Sequence, residues 1–495
     1  MLKGRSISVN PQKWRGASLA LLLAWAGAGC GTFSNYPLGM ESSTLTPLKA
    51  GQKTDYQRTF GKRATQGKEQ VLFSMEMGRT AQLEGDIAAS KKAFEQAIAA
   101  TRAQDEQAVL AVKGAAAQTT AVLVNDKAIP YRAPSYERTL VHHYQALNYL
   151  ASNDVIGAGV EVRRANREQG AAQMRHQKEI NKAKSKNQNE TAVASTNGAP
   201  ETARDPRLAS VYAGLDQLAG SVKYSFQNAA TFYVSAVIWE MQGERNDAYI
   251  DYKKALEIYP DNPFLQQDVV RLGKRLGMRE DLEDYAKRFP AAAKTPMDGD
   301  GELKGQARLV VIYEEGLVPK KTEVSIPYPL PGAESIGVIA LPSYTEVPPG
   351  PVPVAVTAGG KALGSTAPIC NVAALAARGL EDQMPGILTR QVARAAAKGT
   401  AAYAADNSGS DFAAFAVLMY NILSEQADLR SWLTLPAHIQ VLSAWVGPGT
   451  QTVALSSPGG GTPWSGEVTF KAGKTTFVYV SRIDLAVFSQ VMVQP

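Results

Sequence analysis

The sequence predicts an α+β protein: an N-terminal α-helical solenoid, followed by a β-sandwich-like domain that carries a helical insertion. Three observations lead there. Between about Tyr56 and Phe289, small and large apolar residues recur at helical spacing in helix–turn–helix units. A stretch of turn formers, "AAAKTPMDGDGELKG", then interrupts the pattern. Beyond it the period becomes two, and Pro and Gly punctuate short runs rich in Val, Ile and Thr.

The chain opens with Lys3, Arg5, Lys13 and Arg15, and no acidic residue accompanies them. The apolar run that follows, up to Gly29, is well below the ~20 residues of a spanning helix. A basic start, a short apolar stretch and small residues at its end define a secretory signal peptide. It stops at Cys30, in "LLLAWAGAGC". This resembles a bacterial lipobox, although Gly27 stands where Leu is usual. The resemblance implies lipidation of Cys30, and more than one acyl chain makes a stable anchor. Loss of residues 1–29 would lower the formal net charge of +6 by four cations, to about +2. Such a near-neutral body gives no electrostatic argument for nucleic acid. Cys370 is then the one remaining thiol, so no internal disulfide is expected. Residues 30–55, rich in turn formers, are expected to form a flexible tether.

In "FYVSAVIWEMQGERNDAYIDYKKALEIYP", Ala236 and Trp239 share one helix and Gly243 ends it. Ala248, Tyr252 and Ala255 share the next, which Pro260 stops. Small residues let two helices approach while the large ones fill the groove. This is the spacing of a tetratricopeptide (TPR) repeat. A second unit has Gly78, a turn at Gly85, then Ser90, Phe94 and Ala97. A third, looser unit has Ala146, Tyr149, Ala158, Val162 and Ala165. "LQQDVVRLGKRLGMREDLEDYAKRF" supplies closing helices. The TPR-like domain is thus expected over 56–290, interrupted by a disordered insertion at 178–206 that is too polar to order itself. The β-rich domain is expected over 300–495, with its helical insertion at 371–431.

Motifs of catalysis are scarce. The sequence has four histidines and no CxxC, HExxH or GxSxG. Adjacent His142 and His143 point to different faces of a helix, so they do not chelate one ion. No metal and no cofactor is expected. "KAGKTT" lacks the earlier glycine of a phosphate loop and reads as a hairpin turn. Arg390, Arg394 and Lys398, spaced four apart, would form one basic stripe, either a solvated face or a binding surface. Asp428, Arg430 and Trp432 lie where the insertion returns to the sheet. A buried Asp428–Arg430 pair under Trp432 would pin that junction, and the structural role is the favoured one. On an exposed surface, Trp432 would instead be an interface anchor.

The chain resembles a family of TPR-containing outer-membrane lipoproteins of unknown function from Gram-negative bacteria. The residues that carry the resemblance are "GRTAQLEGD" with "SKKAFEQAI", "YERTLVHHYQALNYL" with "VEVRRA", and above all "ADLRSWLTLPAHIQ". It implies an anchor on the periplasmic side of the outer membrane and no catalytic residue. It also hints at association with lipoprotein activators of peptidoglycan synthases. The leading expectation is a non-enzymatic scaffold whose groove binds a protein or peptide of the cell envelope. A second is a module in the β domain for an envelope polymer, glycan or lipopolysaccharide. A third is a hydrolase assembled from distant residues.

Overall fold

The computed structural model describes residues 36–113, 129–190, 208–297, 303–329, 336–406 and 426–495. The signal segment and Cys30 lie outside them. The architecture is α+β, with helices in the N-terminal part and sheets in the C-terminal part. No helix among the described residues is long and apolar enough to cross a membrane.

The first described stretch corrects the expected tether at 30–55. Tyr36–Met40, Glu41–Leu45 and Thr46–Lys49 run on as one helical segment, its middle part wound more widely. It is docked because Tyr36, Met40, Leu45 and Leu48 bury a shared apolar face. Tyr36 also donates a hydrogen bond to Glu76 at 2.6 Å. Pro47 follows directly on the wider turn, at the start of the last helical piece.

Helix α1 (Tyr56–Thr65) starts at Asp55, whose carboxylate accepts the amide of Arg58 at 3.1 Å. Then follow α2 (Gln70–Leu83), α3 (Ile87–Lys113), α4 (Ser135–Ala151) and α5 (Val155–Glu190). After α6 (Ala209–Ala219) come α7 (Ala229–Gln242), α8 (Arg245–Ile258), α9 (Pro263–Leu276) and α10 (Arg279–Arg288). Helix α2 packs on α3, α4 on α5, and α7 on α8. Each turn is made by one left-handed residue: Gly85 (φ 83°), Asn153 (φ 59°) and Gly243 (φ 85°). Asn tolerates this conformation better than most side chains, which is why the middle turn lacks a glycine.

The small residues sit where helices meet. A Cβ at position 78 would stand 2.6 Å from the Phe94 ring, and Ser90 donates to the carbonyl of Gly78 at 2.7 Å. Phe94, Ala97, Ala146, Ala158, Ala236, Trp239, Ala248, Tyr252 and Ala255 are buried. Pro260 is exposed just past the end of α8. Helix α5 continues to Glu190, through the first part of the segment expected to be disordered at 178–206. Its Lys, Gln, Ala and Glu residues extend a helix already nucleated by packing. Residues 191–206 lie outside the described chain.

The sheets are mixed. One has strand order β11-β10-β1-β7-β6, with β1 (Ala307–Glu315) at its centre, parallel to β10 (Thr475–Ile483) and antiparallel to β7 (His438–Val446). β11 is Ala486–Val493 and β6 is Ala367–Asn371. A second sheet has the order β5-β4-β8-β9, formed by Lys361–Ser365, Ala355–Ala358, Gly449–Ser457 and Gly461–Phe470. β2 (Thr322–Pro329) and β3 (Ile336–Ser343) pair alone. Helix α11 (Val372–Asp406) lies between β6 and β7, within the expected insertion at 371–431. Residues 407–425 lie outside the description, and 426–431 form no helix.

Two expectations about strands change. The first strand does not alternate, because it is buried from Ala307 through Glu314. Both of its faces are covered, as in a central strand with layers on each side. "KAGKTT" is a turn, with the Lys474 amide donating to the Lys471 carbonyl at 3.1 Å. It is not a hairpin, because it carries the chain from β9 in the second sheet to β10 in the first. The hairpin that precedes it is β8–β9, closed by the glycine-rich "SSPGGGTPWSG".

One contiguous apolar core runs from Tyr36 to Met492 and includes helices and both larger sheets. The linker at 291–305 therefore does not separate two cores, and Ala292 within it is buried. Gly78→Val should cost about 2 kcal/mol, because overpacking against Phe94 outweighs the gain of up to ~1 kcal/mol from removing a helical glycine. Urea unfolding followed by circular dichroism measures it. An unchanged midpoint would mean that the Phe94 ring yields freely.

Candidate functional site

Period-two geometry places Arg308, Val310, Ile312 and Glu314 on one face of β1, the face toward the helices. Both charged residues are buried, at 3% and 0% exposure. Each meets opposite charge from the helical part. Arg308 donates to Asp268 of α9 at 2.7 Å, to Glu240 of α7 at 2.6 Å and to the Tyr252 hydroxyl of α8 at 3.1 Å. Arg271 donates to Glu240 at 2.7 Å and to Asp268 at 3.0 Å, which closes a cluster of two cations and two anions. Burial pushes Glu240 up, but Arg271 and Arg308 outweigh it and hold the carboxyl at about 2. At the other end of β1, Glu314 pairs with Arg79 of α2 and accepts from the hydroxyls of Tyr144 and Tyr479. The Arg79 guanidinium lies 4.2 Å from the centre of the Tyr144 ring.

A second set of buried acids holds the stretch "ADLRSWLTLPAHIQ". Glu76 accepts the amide of Leu433 at 2.6 Å, the Thr434 hydroxyl at 2.7 Å and the Tyr36 hydroxyl at 2.6 Å. Glu137 accepts the amide of Trp432 at 3.0 Å and the hydroxyls of Tyr131 and Tyr136 at 2.5 and 3.0 Å. Arg430 grips Asp428 with two bonds of 2.8 and 2.7 Å and donates to the Ile129 carbonyl at 3.0 Å. Burial pushes Asp428 up, but Arg430 outweighs it and keeps the carboxyl below its usual range.

Trp432 is fully buried, with its ring 5.9 Å from those of Phe94 and Tyr144. This corrects its candidacy as a binding anchor: the segment folds inward because Glu76 and Glu137 take its amides. The Arg390 stripe also fails as a solvent-facing stripe. Arg394 is buried and Arg390 half-buried, because this side of α11 packs against the body, where Gln391 donates to the Ala340 carbonyl of β3 at 3.1 Å. The Lys398 side chain lies outside the described residues. His142 pairs with Glu161 at 2.7 Å, whereas His143 contacts Thr231 at 3.4 Å. Burial and the charge of Arg79 push His143 down to about 3. Among the described residues, no group of three or more His, Cys, Asp or Glu is placed to hold a metal. Burial pushes the Cys370 thiol up and keeps it protonated.

An open cavity of about 240 Å³ lies between α5 and the α7–α8 pair. Arg163 and Asn166 line it from α5, Trp239 from α7, and Asp247, Ile250, Asp251 and Lys254 from α8. Asp251 fixes the floor. It accepts from the Ser235 hydroxyl and the Asn166 amide at 2.6 Å each, from the Trp239 indole at 3.1 Å and from Lys254 at 3.3 Å. The Arg163 guanidinium lies over Trp239, 4.5 Å from the ring centre. The Asn166 carbonyl oxygen is enclosed and has no protein partner. Ile250, 49% exposed, offers an apolar rim beside charged Asp247 and Lys254. The arrangement suits recognition: a rigid polar floor, an aromatic wall and a mixed rim.

Sequence reasoning singled out Trp239 but missed its groove partners, and it missed the charges beside β1. The latter did leave a signal: Glu76 and Glu240 each interrupt an otherwise apolar run, and Glu314 ends one. No family model, curated protein or solved structure matches this chain.

Two outcomes follow from the buried charges. Glu314→Leu leaves Arg79 unpaired and should cost about 3–5 kcal/mol, whereas adding Arg79→Met should restore part of that loss. Denaturant midpoints of the parent and these two variants check it, and a double variant no better than Glu314→Leu would contradict the pairing. Burial pushes Glu76 up to about 7, against the hydrogen bonds from Tyr36 and Thr434. A raised folded-state value means stability that is complete below the unfolded value of about 4.3 and is lost as pH rises through about 7. The parent should therefore lose stability relative to Glu76→Gln between pH 5 and pH 8. Equal pH profiles would exclude Glu76 as the titrating group.

Proposed function

We propose that this protein is a lipid-anchored, non-catalytic scaffold of the bacterial cell envelope, and that its groove between α5 and α7–α8 binds an extended segment of a protein partner. The groove is the observation that carries the reading. Its Trp239 wall, the charged rim of Arg163, Asp247 and Lys254 and the exposed Ile250 match what a polar peptide backbone and one apolar side chain require. Read this way, α2–α3, α4–α5 and α7–α8 are TPR-like hairpins, and the two larger sheets stack as a sandwich. Lipidation of Cys30 and a place on the periplasmic side of the outer membrane rest on the lipobox and on the family resemblance.

Affinity capture by the full chain tests the groove. Arg163→Glu and Ile250→Glu change only exposed rim positions, so the melting temperature should stay within a degree or two. Partner recovered from detergent-solubilised envelopes should fall about tenfold or more. Undiminished capture by the double variant would place the partner elsewhere.

A further inference from the structure

We infer that the outward face of the N-terminal helical segment, with the tip of the β10–β11 hairpin, rests directly against the lipid surface; this builds on the anchor at Cys30 proposed above. Chain length sets the distance. Five residues separate Cys30 from Tyr36, so any conformation of that link reaches at most about 20 Å. The body is not held off by a long tether, because the segment from Tyr36 onward is docked through buried Tyr36, Met40, Leu45 and Leu48.

The face left outside suits a membrane. Leu38, Gly39, Ser42, Thr46 and Ala50 are exposed, and none carries a charge. Glu41 at its edge is neutralised by Lys49 at 3.0 Å and Lys320 at 2.9 Å. Leu48 packs with Leu83 and Ile483, and the Gly51 backbone lies against Ala486, so the segment ends beside the β10–β11 hairpin. That hairpin turns at Asp484 and Leu485, between the paired Ile483 and Ala486. A two-residue turn calls for Asn, Asp or Gly, and nothing in turn chemistry calls for leucine. Yet Leu485 is 91% exposed and Leu38 is 64% exposed. Insertion of two leucines among acyl chains, with Asp484 left in the headgroup layer, accounts for both.

Cys370 is buried, so in the lipidated chain a cysteine introduced at the surface is the reactive thiol. Leu38→Cys, Leu485→Cys and, as a control on α5, Met174→Cys would each carry an environment-sensitive fluorophore. The full-length lipidated protein is reconstituted into phosphatidylethanolamine–phosphatidylglycerol vesicles that contain a lipid-borne quencher. Probes at 38 and 485 should be quenched several-fold more than the probe at 174. Equal, weak quenching at all three positions overturns the face assignment. Cys30→Ala tests the anchor separately and should release the chain from the envelope fraction. Retention of Cys30→Ala overturns the anchor itself, and the inference with it.

Discussion

Strand β1 buries a charge at each end of one face, and the rest of the structure is arranged around the need to neutralise them. Arg308 and Glu314 lie in the middle of the molecule, where a lone charge is far costlier than at a surface. The sheet does not supply the counter-charges, because the residues paired with these positions are uncharged: Thr475 and Trp445 beside Arg308, Ser481 and Ile439 beside Glu314. The helices supply them from above: Arg79 for Glu314, and Glu240 with Asp268 for Arg308. The signs are opposite at the two ends, which also sets direction and register. A slip of one residue would turn both charges to the other face, away from their partners. Helices and sheet thus form one cooperative body.

The same helices carry the candidate groove on another side, and adjacent residues divide the work. On α7, Trp239 lines the groove while Glu240 binds Arg308 and Arg271. On α8, Asp251 fixes the groove floor while the Tyr252 hydroxyl donates to Glu240 at 2.6 Å. Successive helical positions are about 100° apart, so one turn serves two surfaces. The groove is therefore braced by the charge cluster beneath it. A rigid floor keeps its donors in place before a partner arrives, which lowers the ordering cost of binding.

The stretch from Asp428 to Gln440 joins these layers. Buried carboxylates from α2 and α4 take its backbone amides, as a sheet neighbour would in a regular strand. Glu76 also takes the Tyr36 hydroxyl, so a single carboxylate holds both the N-terminal segment and this loop. Burial pushes the Glu76 carboxyl up, while the hydrogen bonds from Tyr36, Leu433 and Thr434 favour its charged form.

Much of the local order was legible in the sequence. The helix pairs, the turns at Gly85 and Gly243, the close approach at Gly78 and the strand-rich C-terminal part follow from spacing and from residue size. Those are properties of neighbours a few residues apart, and backbone geometry converts them directly into structure. The docked N-terminal segment, the burial of Trp432 and Arg394, the parallel pairing of β1 with β10 and the groove were decided only in three dimensions. Each depends on partners far away in the chain. Glu76 lies more than 350 residues before Leu433, and Arg79 lies 235 residues before Glu314. A charge inside an apolar run announces that a partner exists, but only the packed fold brings that partner within reach.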